Sequence, residues 1–345
     1  MKILADYDID ELKKIVSEMG QPSFRATQIF KWLYSGADFD GMTDLPAEFR
    51  KELSREYIAV PLTIAEKFVS KDGSVKFLYK YHDGNIIEGV YMPHSYGDTL
   101  CVSTQVGCRM GCSFCASGIG GLVRNLTAGE IAAQVIAVNG YLGGSAANRK
   151  ISNLVLMGSG EPLDNYDNVT KFLRLVTNKN ALDFGMRSIS LSTCGLVENI
   201  KRLADEGYGV TLSVSLHATT DESRRELMPI AHKYTLAQIT EAVKYYFEKT
   251  GRRIIFEYAL VKGKNMSAFD CKRLREITRG YPSHVNLIKL NYVKEKGMQG
   301  CSDEEAKRFL QRLTEMNVSA TIRRSFGNDV GGACGQLRRN YIAER

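Results

Sequence analysis

Four of the eight cysteines of the chain fall within one stretch, which reads Cys101-Val-Ser-Thr-Gln-Val-Gly-Cys-Arg-Met-Gly-Cys-Ser-Phe-Cys115. Cys108, Cys112 and Cys115 have the spacing C-x3-C-x2-C, so a short loop can bring three thiolates around one metal centre. No fourth ligand is evident nearby, whereas structural zinc sites and most electron-transfer clusters use four protein ligands. The stretch therefore predicts a 4Fe-4S cluster with one iron open to another ligand.

Two other interpretations of these cysteines stay open at this point. One is a zinc ion that takes its fourth ligand from a distant part of the chain, although zinc sites more often show two C-x2-C pairs. The other is a chance clustering of buried, apolar cysteines. The close spacing favours the cluster over both.

Downstream of the cysteines, apolar strands alternate with helices, beginning with a strand at 100–104. Further strands are predicted at 152–157, 188–192, 210–216, 253–260 and 285–290. Helices are predicted at 128–138, 168–177, 197–205, 236–248, 268–278 and 303–316. The first helix opens with Thr127 and Glu130, the pattern of a capping box.

This alternation predicts an α/β fold with a parallel sheet, either a barrel or a doubly wound sheet. The first strand is not followed by the glycine pattern of a dinucleotide-binding fold, so we expect a TIM-type barrel. Six βα units are too few to close such a barrel. We therefore expect a partial (β/α)6 barrel, with an opening wide enough for a large substrate.

Polar residues follow several of the predicted strands, where a barrel places its active site. The turn Gly158-Ser-Gly-Glu-Pro162 follows the second strand, and its glycines let a ligand approach the backbone. The other residues at this edge are Ser192, Thr193, Ser215, Leu216, His217 and Asn291. Taken singly, each could serve only as a turn, a cap or a buried side chain, but their shared position indicates a ligand site.

The first hundred residues follow a different pattern. Apolar residues recur at helical spacing from Ile9 to Tyr57, which predicts a small helical module. Residues 62–92 alternate between apolar and polar, with a turn near Gly84, and this predicts a β-hairpin. Basic residues of the helical module could contact phosphates or simply face solvent.

The composition limits the class of protein. The chain has 345 residues and a formal net charge of +7, which permits a polyanionic partner without demonstrating one. Eight cysteines, three of them with metal-site spacing, favour a reducing compartment over a disulfide framework. No apolar run approaches about 18 residues and the N-terminus is acidic, so we expect a soluble, cytoplasmic protein.

The cysteine loop and this polar edge together resemble the radical S-adenosylmethionine (radical SAM) superfamily, in which the open iron of the cluster binds SAM. The match narrows to the RlmN/Cfr family of radical SAM methyltransferases that act on adenine in RNA. The segments that carry this resemblance span most of the chain: 101–108, Arg124 to Thr127, Gly160 to Pro162, Ser215 to His217 and Ala333 to Leu337. Ser159 departs from the family, which commonly has methionine between the two glycines.

The resemblance implies a role for each matching residue. Cys108, Cys112 and Cys115 would hold the cluster. SAM contacts would fall on Gly160, Glu161, Ser192, Ser215, Leu216, His217 and Asn291. The catalytic residues would be Cys334, which accepts a methyl group, Cys101, which releases the product, and Glu88, which accepts a proton.

The family chemistry explains why two SAM molecules are needed. An adenine carbon between two nitrogens is too electron-poor to attack the SAM methyl group directly. In the family, one SAM methylates the cysteine that Cys334 matches, and a second, cleaved reductively, gives a radical that removes hydrogen from this methyl group. The resulting radical adds to adenine, and a disulfide between the residues matching Cys101 and Cys334 releases the product.

The resemblance also implies a domain organisation. Residues 1–60 would form a helical, RNA-binding accessory domain, and 61–97 a hairpin connector that carries Glu88. Residues 98–322 would form the partial barrel, and 323–345 a C-terminal segment that carries Cys334. Arg323, Arg324, Arg338 and Arg339 suit a phosphate surface.

The expected partners are 23S ribosomal RNA, methylated at an adenine C2 of the peptidyl transferase centre, and adenine 37 of transfer RNA. An electron donor such as flavodoxin or ferredoxin would reduce the cluster. The enzyme is expected to be a monomer that does not associate with a membrane. Pro162 favours C2, because the branch that methylates C8 and confers antibiotic resistance tends to have alanine there. Three alternative interpretations remain open. They are a methyltransferase that acts at C8, a zinc-containing RNA-binding protein without catalysis, and a radical SAM enzyme that activates another protein.

Overall fold

The architecture is that of a mixed sheet with helices along it, in a computed structural model that describes residues 1–290 and 296–330. The strands are β1 (Lys2–Ile3), β2 (Tyr57–Ile58), β3 (Leu62–Val69), β4 (Val75–Tyr81), β5 (Ile86–Met92), β6 (Thr99–Cys101), β7 (Gln105–Gly107), β8 (Leu122–Asn125), β9 (Asn153–Leu156), β10 (Ile189–Thr193), β11 (Thr211–Ser215), β12 (Ile254–Leu260), β13 (Ser283–Lys289) and β14 (Ala320–Ile322). The helices are α1 (Ile9–Glu18), α2 (Arg25–Tyr34), α3 (Ala47–Glu56), α4 (Ala128–Tyr141), α5 (Tyr166–Val176), α6 (Val197–Asp205), α7 (Asp221–Leu227), α8 (Leu236–Thr250), α9 (Ala268–Ile277) and α10 (Asp303–Glu315).

The main sheet has the strand order β14-β13-β12-β11-β10-β9-β6-β5-β4-β3. From β6 through β14 the neighbouring strands are parallel. Side chains from one face of these strands line a common cavity: Thr99, Asn153, Ser190, Ser213, Ile255, Asn286 and Thr321. A sheet whose face encloses a cavity is curved, so the predicted partial barrel is confirmed.

The barrel has one more parallel strand than the six predicted. The additional strand, β14, pairs with β13 through only three residues, too few for a clear sequence pattern. Residues 62–92 form three antiparallel strands, where the alternation predicts a hairpin. The last of these, β5, pairs with β6, so all three strands continue the barrel sheet and cover the edge that β6 would otherwise expose.

One core connects the N-terminal helices with the barrel. Leu12, Ile29 and Phe30 belong to the same cluster of buried side chains as Leu154 and Leu191 of the parallel strands. The N-terminal helices therefore bury their apolar faces against the rest of this chain.

No helix within residues 1–290 and 296–330 is both long and apolar enough to cross a membrane.

Ser103 connects four parts of the fold just beyond β6. Its backbone N–H donates to Oε1 of Gln134 at 2.9 Å, and Nε2 of Gln134 donates to its carbonyl at 2.8 Å. Its hydroxyl donates to the carbonyl of Glu88 on β5 and accepts from the N–H of Ser159, both at 2.8 Å. Ser103 and Gln134 are fully buried, so none of these groups can bond to water instead.

The cysteine loop extends from a small hairpin of β7 and β8, which pair through Gln105 and Asn125. Arg124 on β8 donates two hydrogen bonds, of 2.7 and 2.8 Å, to the buried carboxylate of Glu130 on α4. Glu130 also accepts from the N–H of Thr127, which completes the predicted capping box. Both ends of the cysteine loop are therefore tied to the barrel.

Replacing Gln134 with methionine, Gln134→Met, should destabilise the protein strongly. Methionine has a similar volume but leaves two buried backbone groups of Ser103 without partners, at a cost of about 2–6 kcal/mol in the free energy of unfolding. Urea unfolding monitored by circular dichroism measures this loss.

Gln311→Met is the matched control, because Gln311 is exposed on α10 and, in the described part of the chain, its side chain bonds to Glu315 alone. We expect it to change the free energy of unfolding by less than about 0.5 kcal/mol. Equal effects of the two substitutions would contradict the structural importance of the pair between Ser103 and Gln134.

Candidate active site

A cavity of about 300 Å³ lies at the carboxyl ends of the parallel strands. The cysteine loop, the glycine turn after β9 and the ends of β10 and β11 form its walls. Residues predicted from the sequence line it together: Cys108, Cys112, Cys115, Gly160, Glu161, Ser192, Ser215 and His217. The structure thus brings the predicted cluster ligands and most of the predicted SAM contacts to one place.

The thiols of the cysteine loop are in a poorly solvated position. Burial raises the pKa of Cys108 and that of Cys112 to about 12. Thiolates rather than thiols are metal ligands, so a bound cation has to supply the positive charge that stabilises them here.

The donor set fits an iron–sulfur cluster better than a single zinc ion. Among the described residues, no three His, Cys, Asp or Glu side chains are arranged to hold one metal ion. Cys108, Cys112 and Cys115 instead surround a cavity. A cluster binds its thiolates around a volume, on different irons, whereas zinc requires four ligands at about 2.0–2.3 Å from one point.

The glycine turn after β9 packs directly against the strand that precedes the cysteine loop. Gly160 has a φ of 110°, and a Cβ atom there would lie 2.8 Å from the backbone nitrogen of Gln105. A side chain at this position would thus force the turn away from the cysteine loop. The neighbouring Ser159 has a buried side chain and donates its N–H to Ser103.

Glu161 has a buried carboxylate held by backbone donors. Its two oxygens accept from the N–H groups of Leu163 at 3.1 Å and Cys194 at 2.7 Å. Burial raises the pKa of Glu161, and these hydrogen bonds oppose that rise. Each carboxylate oxygen can accept more than one hydrogen bond, so the group retains capacity for a ligand amine or hydroxyl in the cavity.

His217 is held in one tautomer and in an uncommon backbone conformation. Its φ is 56°, and its Nδ1 accepts from the N–H of Ala259 at 2.9 Å. Burial, together with the charge of Arg224, lowers the pKa of His217 to about 3. The ring is therefore neutral at physiological pH and carries its proton on Nε2.

Glu88 and Cys101 lie on the same face of the sheet. Val90 pairs with Cys101, and Glu88 is two residues before Val90 on β5, so side chains of all three point to one side. This side faces the barrel-interior cavity that Thr99 lines, which shares Met157, Glu257 and Arg323 with the cavity at the cysteine loop. Neither Glu88 nor Cys101 is among the described residues that line either cavity. Glu88 is 4% exposed and Cys101 is also buried, although a strand glutamate more often faces solvent.

The remaining predicted residues have other positions. Leu216 is buried after β11 and is not among the described residues that line the cavity. Asn291 and Cys334 lie outside the described residues. No disulfide joins any two of the cysteines within residues 1–290 and 296–330.

Two further charged residues lie at the cavity, and sequence reasoning missed one of them, Glu257. Glu257 on β12 is 3% exposed, and burial raises its pKa. It accepts from Asn286 at 2.9 Å and lies 3.7 Å from the guanidinium of Arg323. A glutamate inside an otherwise apolar strand was the available signal for Glu257, whereas Arg323 is one of the arginines predicted as a phosphate surface close to the active site.

Comparison with known proteins assigns the family. Residues 102–270 match the model of the radical SAM superfamily, and residues 3–58 match that of the ribosomal RNA large subunit methyltransferase N-terminal domain. The chain is 48% identical over 346 residues to a probable dual-specificity RNA methyltransferase RlmN of Clostridium novyi (strain NT), with 99% of each chain covered. It is 49% identical over 348 residues to the protein of that name from Clostridium perfringens (strain 13 / Type A), with 100% of this chain and 99% of the relative covered.

A solved structure extends the match to three dimensions. The crystal structure of a radical SAM methyltransferase from Sphaerobacter thermophilus superimposes with a TM-score of 0.92 and 41% identity, covering 97% of this chain and 99% of that one. Family membership implies a 4Fe-4S cluster and SAM as cofactors, and the cysteine donor set described above fits that cluster. The agreement of sequence, fold and cavity over nearly the whole chain places this protein in the RlmN family of the radical SAM superfamily.

Proposed function

We propose that this protein is a radical SAM methyltransferase that methylates C2 of adenine in RNA. The observation that carries the proposal is the shared cavity, in which the three cysteines of the loop face the glycine turn and the ends of β10 and β11. The relatives that match along the whole chain are named dual-specificity RNA methyltransferases, which supports RNA as the substrate. The proposed substrates are 23S ribosomal RNA and adenine 37 of transfer RNA.

Two sets of residues in the cavity have different proposed roles. Cys108, Cys112 and Cys115 hold the cluster, which with bound SAM supplies the radical needed to activate a methyl group. In the same cavity, Gly160 offers its backbone to SAM, and Glu161 accepts from the polar groups of SAM. Ser192 and Ser215 place hydroxyl groups on the same wall, while Nε2 of His217 is a fixed donor.

The proposed catalytic residues next to the cavity are Glu88 and Cys101. Both lie on the side of β5 and β6 that faces the barrel interior, so a base and a thiol are close to each other and shielded from water. Glu88 removes the proton from the adenine carbon, and Cys101 releases the methylated base. Release requires a disulfide with Cys334, the proposed methyl carrier, which lies outside the described residues.

Methylation at C2 rather than C8 rests on Pro162, which follows Glu161 in the glycine turn, and on the names of the relatives. The N-terminal module, residues 1–60, is proposed as an RNA-binding domain, with residues 61–97 as the connector that carries Glu88. Reductive cleavage of SAM consumes an electron, so a donor such as flavodoxin or ferredoxin belongs to the proposal. The enzyme acts as a monomer on cytoplasmic RNA.

Removing any one cluster ligand should abolish cluster binding. Cys108→Ala, Cys112→Ala and Cys115→Ala each leave two thiolates, too few to hold the cluster in place of the proposed three. After anaerobic treatment with iron and sulfide, we expect wild type to be brown and each variant colourless, with iron and sulfide content as the measurement.

Cys301→Ala is the control, because Cys301 is a half-buried cysteine outside the described lining of the cavity. It should take up as much iron and sulfide as wild type. A colourless wild-type protein that holds one zinc ion would refute the proposed enzyme and favour the zinc-containing RNA-binding protein.

The product identifies the reaction. Incubation of the reconstituted enzyme with SAM, a reductant and unmodified 23S ribosomal RNA or transfer RNA should produce 2-methyladenosine, detected by mass spectrometry of digested RNA. Formation of 8-methyladenosine alone would overturn the assignment to C2 and leave the rest of the proposal standing.

The role of Cys334 is tested by separating methyl transfer from SAM cleavage. Cys334→Ala should reduce RNA methylation to background, because the proposed methyl carrier is lost, while reductive cleavage of SAM continues. Cys301→Ala should retain both activities. Methylation by Cys334→Ala at the wild-type rate would refute the mechanism and favour an enzyme that activates another protein.

A further inference from the structure

Arg224 on α7 is a fully buried cation behind the active-site cavity. Its Nη2 donates to the carbonyl of Cys194 at 2.6 Å and to that of Ser215 at 3.2 Å. Its Nε donates to the carbonyl of Leu216 at 3.3 Å. One guanidinium therefore holds together the carboxyl ends of β10 and β11, both of which contribute to the cavity wall.

The positive charge of Arg224 has no direct salt-bridge partner among the described residues. Asp221, at the start of the same helix, acts on it only from a distance, and its Nη1 is buried without a hydrogen-bond partner in the described part of the chain. An arginine is effectively always charged in proteins, and an unpaired buried charge is costly. The fold keeps this charge in a buried position where no described carboxylate contacts the guanidinium.

The cysteine loop lies against the same helix. Both the N–H and the hydroxyl of Ser113 donate to the carbonyl of Leu227, at 2.9 and 3.1 Å. Ser113 follows Cys112, and Leu227 is one turn after Arg224 on α7. Cys194, whose carbonyl accepts from Arg224, lines the same cavity as Cys112.

Arg224 is not among the described residues that line the cavity. A bound SAM molecule would touch Ser215 and His217, while the guanidinium stays behind the backbone of the wall. Arg224 can therefore influence the reaction through its charge, without contact with the ligand.

We propose that Arg224 is a positioning residue whose buried charge stabilises the reduced cluster. When the cluster accepts one electron from a reductant, the cluster and its thiolates become one unit more negative. A fixed cation in a buried site favours that state, because net charge and surroundings set the potentials of such clusters. The inference rests on the proposed function, since it takes Cys108, Cys112 and Cys115 to hold a cluster.

The test is a redox titration of the anaerobically reconstituted full-length protein with dithionite, followed by electron paramagnetic resonance, without SAM. Arg224→Met should lower the equilibrium constant for cluster reduction at least tenfold, a shift of about 59 mV to more negative potential for one electron. Arg224→Lys retains a positive charge when its ammonium group is protonated, so at a pH low enough for that it should shift the equilibrium constant less than Arg224→Met does.

Arg225→Met is the matched control, because Arg225 is the next residue on α7, is partly exposed and pairs with Glu222. It should leave the potential unchanged. Equal shifts in Arg224→Met and Arg224→Lys would show that the hydrogen bonds, not the charge, matter, and would overturn the inference. An unshifted Arg224→Met would overturn it as well.

Iron and sulfide content is measured first for every variant. If Arg224→Met does not fold, Arg224→Gln replaces it, because glutamine is neutral but can still donate to the carbonyls of β10 and β11. A wild-type protein that takes up no cluster would contradict the proposed function and this inference together. A loaded cluster with unshifted potential in the neutral variant would refute only the role of Arg224.

Discussion

The hydrogen bonds of Ser103 set the geometry on which the active site depends. A strand that leaves the sheet must find partners for its backbone, and here the side-chain amide of Gln134 supplies them as a neighbouring strand would. The same serine connects the carbonyl of Glu88 with the glycine turn at Ser159. The proposed base, the cysteine loop and the glycine turn are thus placed relative to one another by a single residue.

Buried charged side chains surround the active-site cavity, and burial strengthens their electrostatic effect. Glu161 and Glu257 are buried carboxylates on its walls, and Arg224 is a buried cation behind it. In a region of low dielectric, each charge acts over a longer distance than at the surface. The cavity therefore suits a zwitterionic ligand beside a cluster whose own charge changes by one electron.

Much of the fold and the site could be predicted because parallel strands bring their carboxyl ends to one edge. Apolar runs such as 254–260 identify strands, and residues just after them, such as His217, then fall together. The strand β14 has three residues and α7 has seven, mostly charged, so neither leaves a periodic pattern. Arg224 was missed because an arginine among charged residues resembles a solvated surface, and only tertiary contacts bury it.

The fold removes from His217 the property that usually makes histidine useful in an active site, its ability to take up and release a proton near neutral pH. A histidine near a reaction centre normally suggests a proton shuttle, yet the Ala259 N–H occupies one ring nitrogen and burial keeps the ring neutral. The imidazole then behaves like an amide group, a rigid dipole whose direction does not change with acidity. The hydrogen bond that His217 can donate at this wall should accordingly not change with cellular pH, and a proton exchanged there has to pass through a group other than this imidazole.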